Sequence, residues 1–126
     1  DDQGALRLAQ MDSYAPAATF ELAETAARLS RQQGTRVHVG PIVTSGVFYD
    51  PDPGTFARWK RVGHIGVEME AAMIYTIAAI HRIEALALMT VSDILEESGN
   101  TTRISDEELK LGVDTMMRIA CRVAVS

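Results

Sequence analysis

Gly66-Val67-Glu68-Met69-Glu70-Ala71-Ala72-Met73-Ile74-Tyr75-Thr76-Ile77-Ala78-Ala79-Ile80-His81, with Ala85-Leu86-Ala87-Leu88-Met89-Thr90-Val91 a short connection later, decides the fold of this chain. The segment from Glu70 to His81 is apolar almost all the way round, which predicts a buried helix rather than a surface helix with one wet stripe. Residues 85–91 form a continuous apolar run without in/out alternation, as a central parallel strand covered on both faces does. A short strand over 66–70, the helix and the second strand then make a βαβ unit, and the fold class is α/β.

Outward from this unit the chain keeps alternating. Ala17 to Gln33 carries Leu22, Ala23, Ala26, Ala27 and Leu29 at helical spacing and stops at Gly34, after a loop over Met11 to Pro16. Arg36 to Tyr49 is rich in Val, Ile, Thr, Phe and Tyr and is interrupted by Gly40-Pro41, which predicts one kinked strand or two consecutive ones. Asp50-Pro51-Asp52-Pro53-Gly54 is a stiff turn leading into a short helix over Thr55 to Val62, closed by Gly63. Beyond the βαβ unit, Leu95 to Ile104 is polar and reads as a loop. Ser105 and Glu108 then form a capping box that opens a last helix to about Val123, with Leu109, Val113, Met116, Met117, Ala120 and Val123 expected to face inward.

At 126 residues there is room for one domain and one core. A hydrophobic share of 47% with 23% charged residues places the chain among folded proteins rather than disordered ones. The net charge of −5 and scattered Lys and Arg residues oppose a nucleic-acid partner or an anionic membrane surface. One cysteine, Cys121, permits no internal disulfide and fits a reducing compartment, so a cytoplasmic location is expected. No apolar run approaches a membrane span, and the first residues lack the features of a signal peptide. A start at Asp1-Asp2-Gln3-Gly4, without Met, reads as processed or truncated, with residues 1–13 a loop or arm.

Ligands of open α/β sheets collect outside the carboxyl ends of the strands, and polar residues concentrate at such ends in two places. At Gly66-Val67-Glu68-Met69-Glu70, an extended backbone would aim Glu68 and Glu70 to the same side. A carboxylate there can accept from neighbouring hydroxyls together, as the ribose 2′ and 3′ positions present them. The competing explanation is that Glu70 only complements the positive end of the following helix. At Thr90-Val91-Ser92-Asp93 an apolar strand ends in polar residues, which predicts a partly desolvated Asp93 able to hold and deliver a proton; the alternative is a turn or N-cap residue. Phe48, Tyr49 and Phe56 flank the Pro-rich turn and are placed to stack on a planar ring or to fill core. His38, His64 and His81 have no partner at metal-ligand spacing, so no zinc site is expected. Neither a phosphate-binding P-loop nor a GxGxxG motif is present, and no cofactor is called for.

The motifs at 66–72 and 90–93, with Tyr14-Ala15-Pro16, Phe48-Tyr49 and Phe56, resemble the bacterial hexameric type of purine nucleoside phosphorylase, within the nucleoside phosphorylase and nucleosidase superfamily. The likeness spans roughly residues 14–95. It implies a three-layer α/β/α fold with a twisted mixed sheet, of which this chain is the carboxyl-terminal half. It implies phosphorolysis of a purine ribonucleoside or deoxyribonucleoside to free base and pentose 1-phosphate, with inorganic phosphate as co-substrate. By the family pattern Glu70 and Met69 hold the ribose with Glu68 close by. Phe48, Val67 and Phe56 flank the base beside Ser92, and Asp93 protonates, or hydrogen bonds to, purine N7 as the glycosidic bond breaks. Pyrimidine-specific relatives carry a Gln and an Arg near the base, and Val43-Thr44-Ser45-Gly46-Val47 has neither.

This sequence departs from the pattern in two ways. The family's Arg that assists the aspartate lies in a loop of a different type, where Arg103 is the candidate. Nothing in residues 1–13 resembles the family's phosphate-binding Gly, Arg and Ser residues. The phosphate site is therefore expected from a missing amino-terminal half or a companion chain, in a homo-oligomer of hexamer type, since sheet edges and apolar helix faces would otherwise stay open. The alternatives are a nucleosidase of the same superfamily, using water, and a catalytically silent nucleoside-binding or scaffold subunit.

Overall fold

The computed structural model describes residues 14–52, 54–96 and 100–126. The expected amino-terminal arm, Pro53 of the turn and residues 97–99 of the polar loop lie outside these. Along the chain run α1 (Phe20–Gln32), β1 (Val43–Thr44), α2 (Thr55–Arg61), β2 (Val67–Glu68), α3 (Ala71–His81), β3 (Asp93–Leu95), β4 (Thr101–Arg103) and α4 (Asp106–Val123). β1 pairs with β2 in parallel, Val43 opposite Val67 and Thr44 opposite Glu68. β3 and β4 form a separate antiparallel pair. This is a mixed helix and strand architecture.

Helix ends follow local chemistry. Thr19 starts α1 in an extended conformation, and its hydroxyl does not cap the helix. Instead it accepts from the Ala85 N–H at 3.0 Å while the Thr19 N–H donates to the Ala85 carbonyl at 2.9 Å. The helix therefore begins later than its apolar spacing predicts. At the other end Gly34, at φ +70°, donates to Arg31, and Thr35 donates to Ser30, the paired bonds of a Schellman stop. Gly63, at φ +89°, ends α2 in the same way through Lys60 and Trp59. α3 repeats the motif with Arg82 at φ 55°, a position where the sequence carries no glycine. α4 opens on the expected capping box, Ser105 Oγ accepting from the Glu108 N–H while the Glu108 carboxylate accepts from the Ser105 N–H.

The core is where α1 meets α4. Ala26 and Leu29 pack with Ile119 and Val123, and Leu22, Leu86 and Leu88 close over them. Truncating a residue as buried as Ile119 to Ala costs about 2–5 kcal/mol. The inward face of α4 turns on Ile119; Val113 and Met117, expected inside, are exposed at 37% and 54%.

Residues 85–91 depart most from expectation. They belong to no ladder among the described residues, and Met89 and Val91 are exposed. Beyond the bonds of Ala85 to Thr19, the segment is held by side chains: Ala87 N–H donates to the Tyr75 hydroxyl at 3.0 Å, and Thr90 Oγ1 lies 3.5 Å from Met116 Sδ. Arg36 to Tyr49 likewise yields only the two residues of β1. α3 is half covered. Ala71, Tyr75, Thr76 and Ala78 are buried, whereas Ile74, Ile77 and Ile80 are exposed at 48%, 43% and 50%. The all-round burial read from its composition is therefore not found, because no described element packs over its isoleucine face. The polar stretch after Leu95 is partly a β-hairpin rather than a plain loop. No described helix is long and apolar enough to cross a membrane.

Candidate functional site

The carboxyl end of β2 is built around Glu68. Parallel pairing sets its side chain on the same face as Thr44, and the buried Thr44 hydroxyl donates to Glu68 Oε1. Glu68 Oε2 accepts from the N–H groups of Glu70, at 2.6 Å, and Ala71, at 2.5 Å. Thr44 Oγ1 in turn accepts from the Ala72 N–H at 3.0 Å. The N–H groups of Met73 and Ile74 reach the Glu70 carbonyl. Every backbone donor at the start of α3 thus has a partner within the chain.

This changes the role of the carboxylates. Extended backbone ends at Glu68, and Glu70 has already turned, at φ −132° and ψ −28°, so strand alternation does not align the pair. The acid that serves the positive end of α3 is Glu68, half-buried against Thr44. Glu70 sits at the N-cap position with no side-chain cap bond, and its side chain is exposed, as is that of Met69 at 40%. Val67 stands just before, exposed at 39%. Phe48 is exposed and packs edge-on against Tyr49 at 5.0 Å between ring centroids. Phe56 makes the corresponding contact with Trp59 at 5.7 Å. Apolar and aromatic surface therefore lies open in the segments expected to flank a base.

The other cluster is the hairpin. Ser92 Oγ donates to Asp93 Oδ2 at 2.6 Å, leaving Oδ1 to accept from another donor. Asp93 is exposed, so the partial desolvation expected of it does not occur; the segment leading to it is itself open at Met89 and Val91. Arg103 stands opposite Asp93 in the β3–β4 register. Its guanidinium reaches Asp106 Oδ1 at 3.8 Å, with both side chains exposed.

The structure brings together Thr44, Glu68 and the backbone of Glu70, Ala71 and Ala72, and separately Ser92, Asp93 and Arg103. No ladder joins the clusters among the described residues. Thr44 was not legible as a site residue, because its partner Glu68 lies 24 residues away and only strand register reveals the match. Among the described residues no group of three or more His, Cys, Asp and Glu side chains is placed to hold a metal.

Comparison with known proteins adds the context that the geometry lacks. The family model described as the phosphorylase superfamily matches residues 2–124. A curated protein from Exiguobacterium sp. (strain ATCC BAA-1283 / AT1b), named purine nucleoside phosphorylase DeoD-type, is 41% identical over 98% of this chain and 50% of its own length. Proteins of the same name from Roseobacter denitrificans and Clostridium beijerinckii are 42% and 44% identical, over 89% and 86% of this chain and 47% and 44% of theirs. The chain spans about half the length of the curated relatives it matches.

Proposed function

The chain belongs to the phosphorylase superfamily, and on that premise we propose that it carries the nucleoside-binding half of a purine nucleoside phosphorylase. Relatives of that name match along nearly all of it. The single observation within the site that favours this assignment is the exposed Glu70 carboxylate beside Met69, held at the end of β2 by a backbone whose own donors are already satisfied. Glu70 accepts the ribose hydroxyls, Met69 lies against the sugar and Glu68 stays close by. Phe48, Val67 and Phe56 enclose the purine with Ser92.

In the reaction, a phosphate oxygen bonds to C1′ as the C1′–N9 bond breaks and its electron pair passes to the purine. Asp93 protonates, or hydrogen bonds to, N7 as the base leaves, and the sugar passes through an oxocarbenium-like state that nearby negative charge favours. Carboxylates in different surroundings divide these tasks: Glu70 for the cationic sugar, Asp93 for the leaving base. Arg103 assists Asp93 from across the hairpin.

With each N–H at the start of α3 engaged by Glu68, Thr44 or Glu70, that helix end has no donor left for an anion. Phosphate is bound instead by the half of the relatives' length that this chain does not span, supplied in the same polypeptide or by a companion. That half covers the isoleucine face of α3 and pairs residues 85–91 into the twisted sheet of a three-layer fold. The complete enzyme is a cytoplasmic homo-oligomer of hexamer type needing no cofactor.

The test is release of hypoxanthine from inosine by the assembled protein with and without inorganic phosphate. Phosphate-dependent release with ribose 1-phosphate as co-product is the expected outcome. Equal release without phosphate would make it a nucleosidase, and purine binding without turnover a silent subunit.

A further inference from the structure

We propose that Thr44 and Glu68 form a positioning pair, which sets the Met69–Glu70 segment for ribose without either side chain touching the nucleoside. The role deepens the nucleoside assignment above and depends on it. Glu68 is surrounded by its own chain: Oε1 takes the Thr44 hydroxyl proton, and Oε2 takes the Glu70 and Ala71 N–H groups. A carboxylate so engaged would have to give up bonds to N–H groups at a helix start, where partners are scarce, in order to reach a sugar hydroxyl.

The pair spans the joint where orientation is decided. Thr44 is anchored in β1, whose ladder to β2 continues through the Ser45 N–H donating to the Glu68 carbonyl at 2.8 Å. From this fixed base, successive amides of residues 70, 71 and 72 are gripped by Glu68, Glu68 and Thr44. Met69 lies between the grip and the ladder, and Glu70 at its first bond. Small displacements of a binding group cost affinity and rate steeply, so the pair governs how well Glu70 meets the ribose although it contacts only backbone.

The experiment compares Thr44→Val, Thr44→Ser and Glu68→Gln in the assembled protein, reading amide hydrogen exchange at residues 70–72 and affinity for inosine and hypoxanthine. Thr44→Val removes the hydroxyl at nearly constant shape, and Thr44→Ser restores it. Thr44→Val is expected to speed exchange at residues 70–72 by about tenfold over the rest of α3, and to weaken inosine about tenfold with hypoxanthine nearly unchanged. Thr44→Ser should stay within about threefold of the parent in both. Glu68→Gln, which keeps an acceptor for the amides but presents a donor to Thr44, should fall between and gives the same readout if Thr44→Val does not fold. Unchanged exchange at residues 70–72 overturns the pair, and equal weakening of inosine and hypoxanthine reduces it to support of the fold and overturns positioning. If the assembled parent protein binds neither ligand, the nucleoside assignment fails and positioning for ribose fails with it, whereas the exchange data still decide whether the grip exists.

Discussion

Asp93 and Arg103 face each other across the β3–β4 ladder as a pair that exchanges no backbone hydrogen bonds. Bonds at the two ends of the ladder show why. Ile104 N–H donates to the Ser92 carbonyl at 3.0 Å, and Glu96 N–H donates to the Asn100 carbonyl at 2.9 Å. Bonded and non-bonded pairs alternate, so 93 and 103 form the closer kind, with Cα atoms about 4.5 Å apart and side chains on one face. The Arg103 contact to Asp106, at 3.8 Å and exposed on both sides, is weak enough to release the guanidinium.

Kinetics of the assembled protein should therefore separate these residues. Asp93→Asn is expected to slow base release by about 10²–10⁴-fold with little change in nucleoside affinity. Arg103→Ala should lower kcat about tenfold at nearly constant KM, with Arg103→Lys recovering part of it. Equal loss of binding and turnover in Asp93→Asn would remove Asp93 from the proton-donor role.

Glu70→Ala should weaken inosine by about tenfold or more, the worth of hydrogen bonds to a charged acceptor, and leave hypoxanthine binding close to normal. Isothermal titration of both ligands measures this. Unaltered inosine affinity contradicts the ribose assignment.

Gly112 sits inside α4 where an added Cβ would come within 2.5 Å of the Thr90 methyl. Alanine there gains about 1 kcal/mol of helix propensity, but overpacking against a stiff β-branched side chain costs about 1–3 kcal/mol. Gly112→Ala should lower the unfolding midpoint, and adding Thr90→Ser, which deletes only the methyl, should turn the same substitution into a stabilising one. Urea unfolding of the single and double variants reads the sign.

Arg82 holds the left-handed position that glycine occupies at the ends of α1 and α2. Relief of about 1–2 kcal/mol of backbone strain outweighs the extra freedom glycine gives the unfolded chain, so Arg82→Gly should raise the melting temperature by a few degrees.

Stability should fall in acid for a local reason. Hydrogen bonds from Arg58 and the Gly54 N–H hold the Asp52 carboxyl below its ordinary range, and those from the Ser105 hydroxyl and N–H do the same for Glu108. A carboxyl whose folded value is lowered stabilises the fold fully above its unfolded value and loses that contribution as pH falls through the folded one. The unfolding midpoint should thus be level from neutral pH down to the ordinary carboxylate range and drop below it, with Glu108→Gln shallowing the drop.

The sequence by itself determined what depends on neighbours a few residues away. The capping box at Ser105, the glycine stops at Gly34 and Gly63, the apolar stripe of α1 and the position of α3 are all set by short-range chemistry, and they appear as read. The motifs at 66–72 and 90–93, taken together, also indicated the family. Tertiary structure alone decided which carboxylate is spent and which is exposed, because Glu68 finds Thr44 only through strand register, a contact no local spacing encodes. It likewise decided that Arg103 returns to face Asp93 across the β3–β4 ladder, and that no described element covers the isoleucine side of α3. An apolar sequence states that a surface prefers to leave water, but whether it does depends on a partner elsewhere in space.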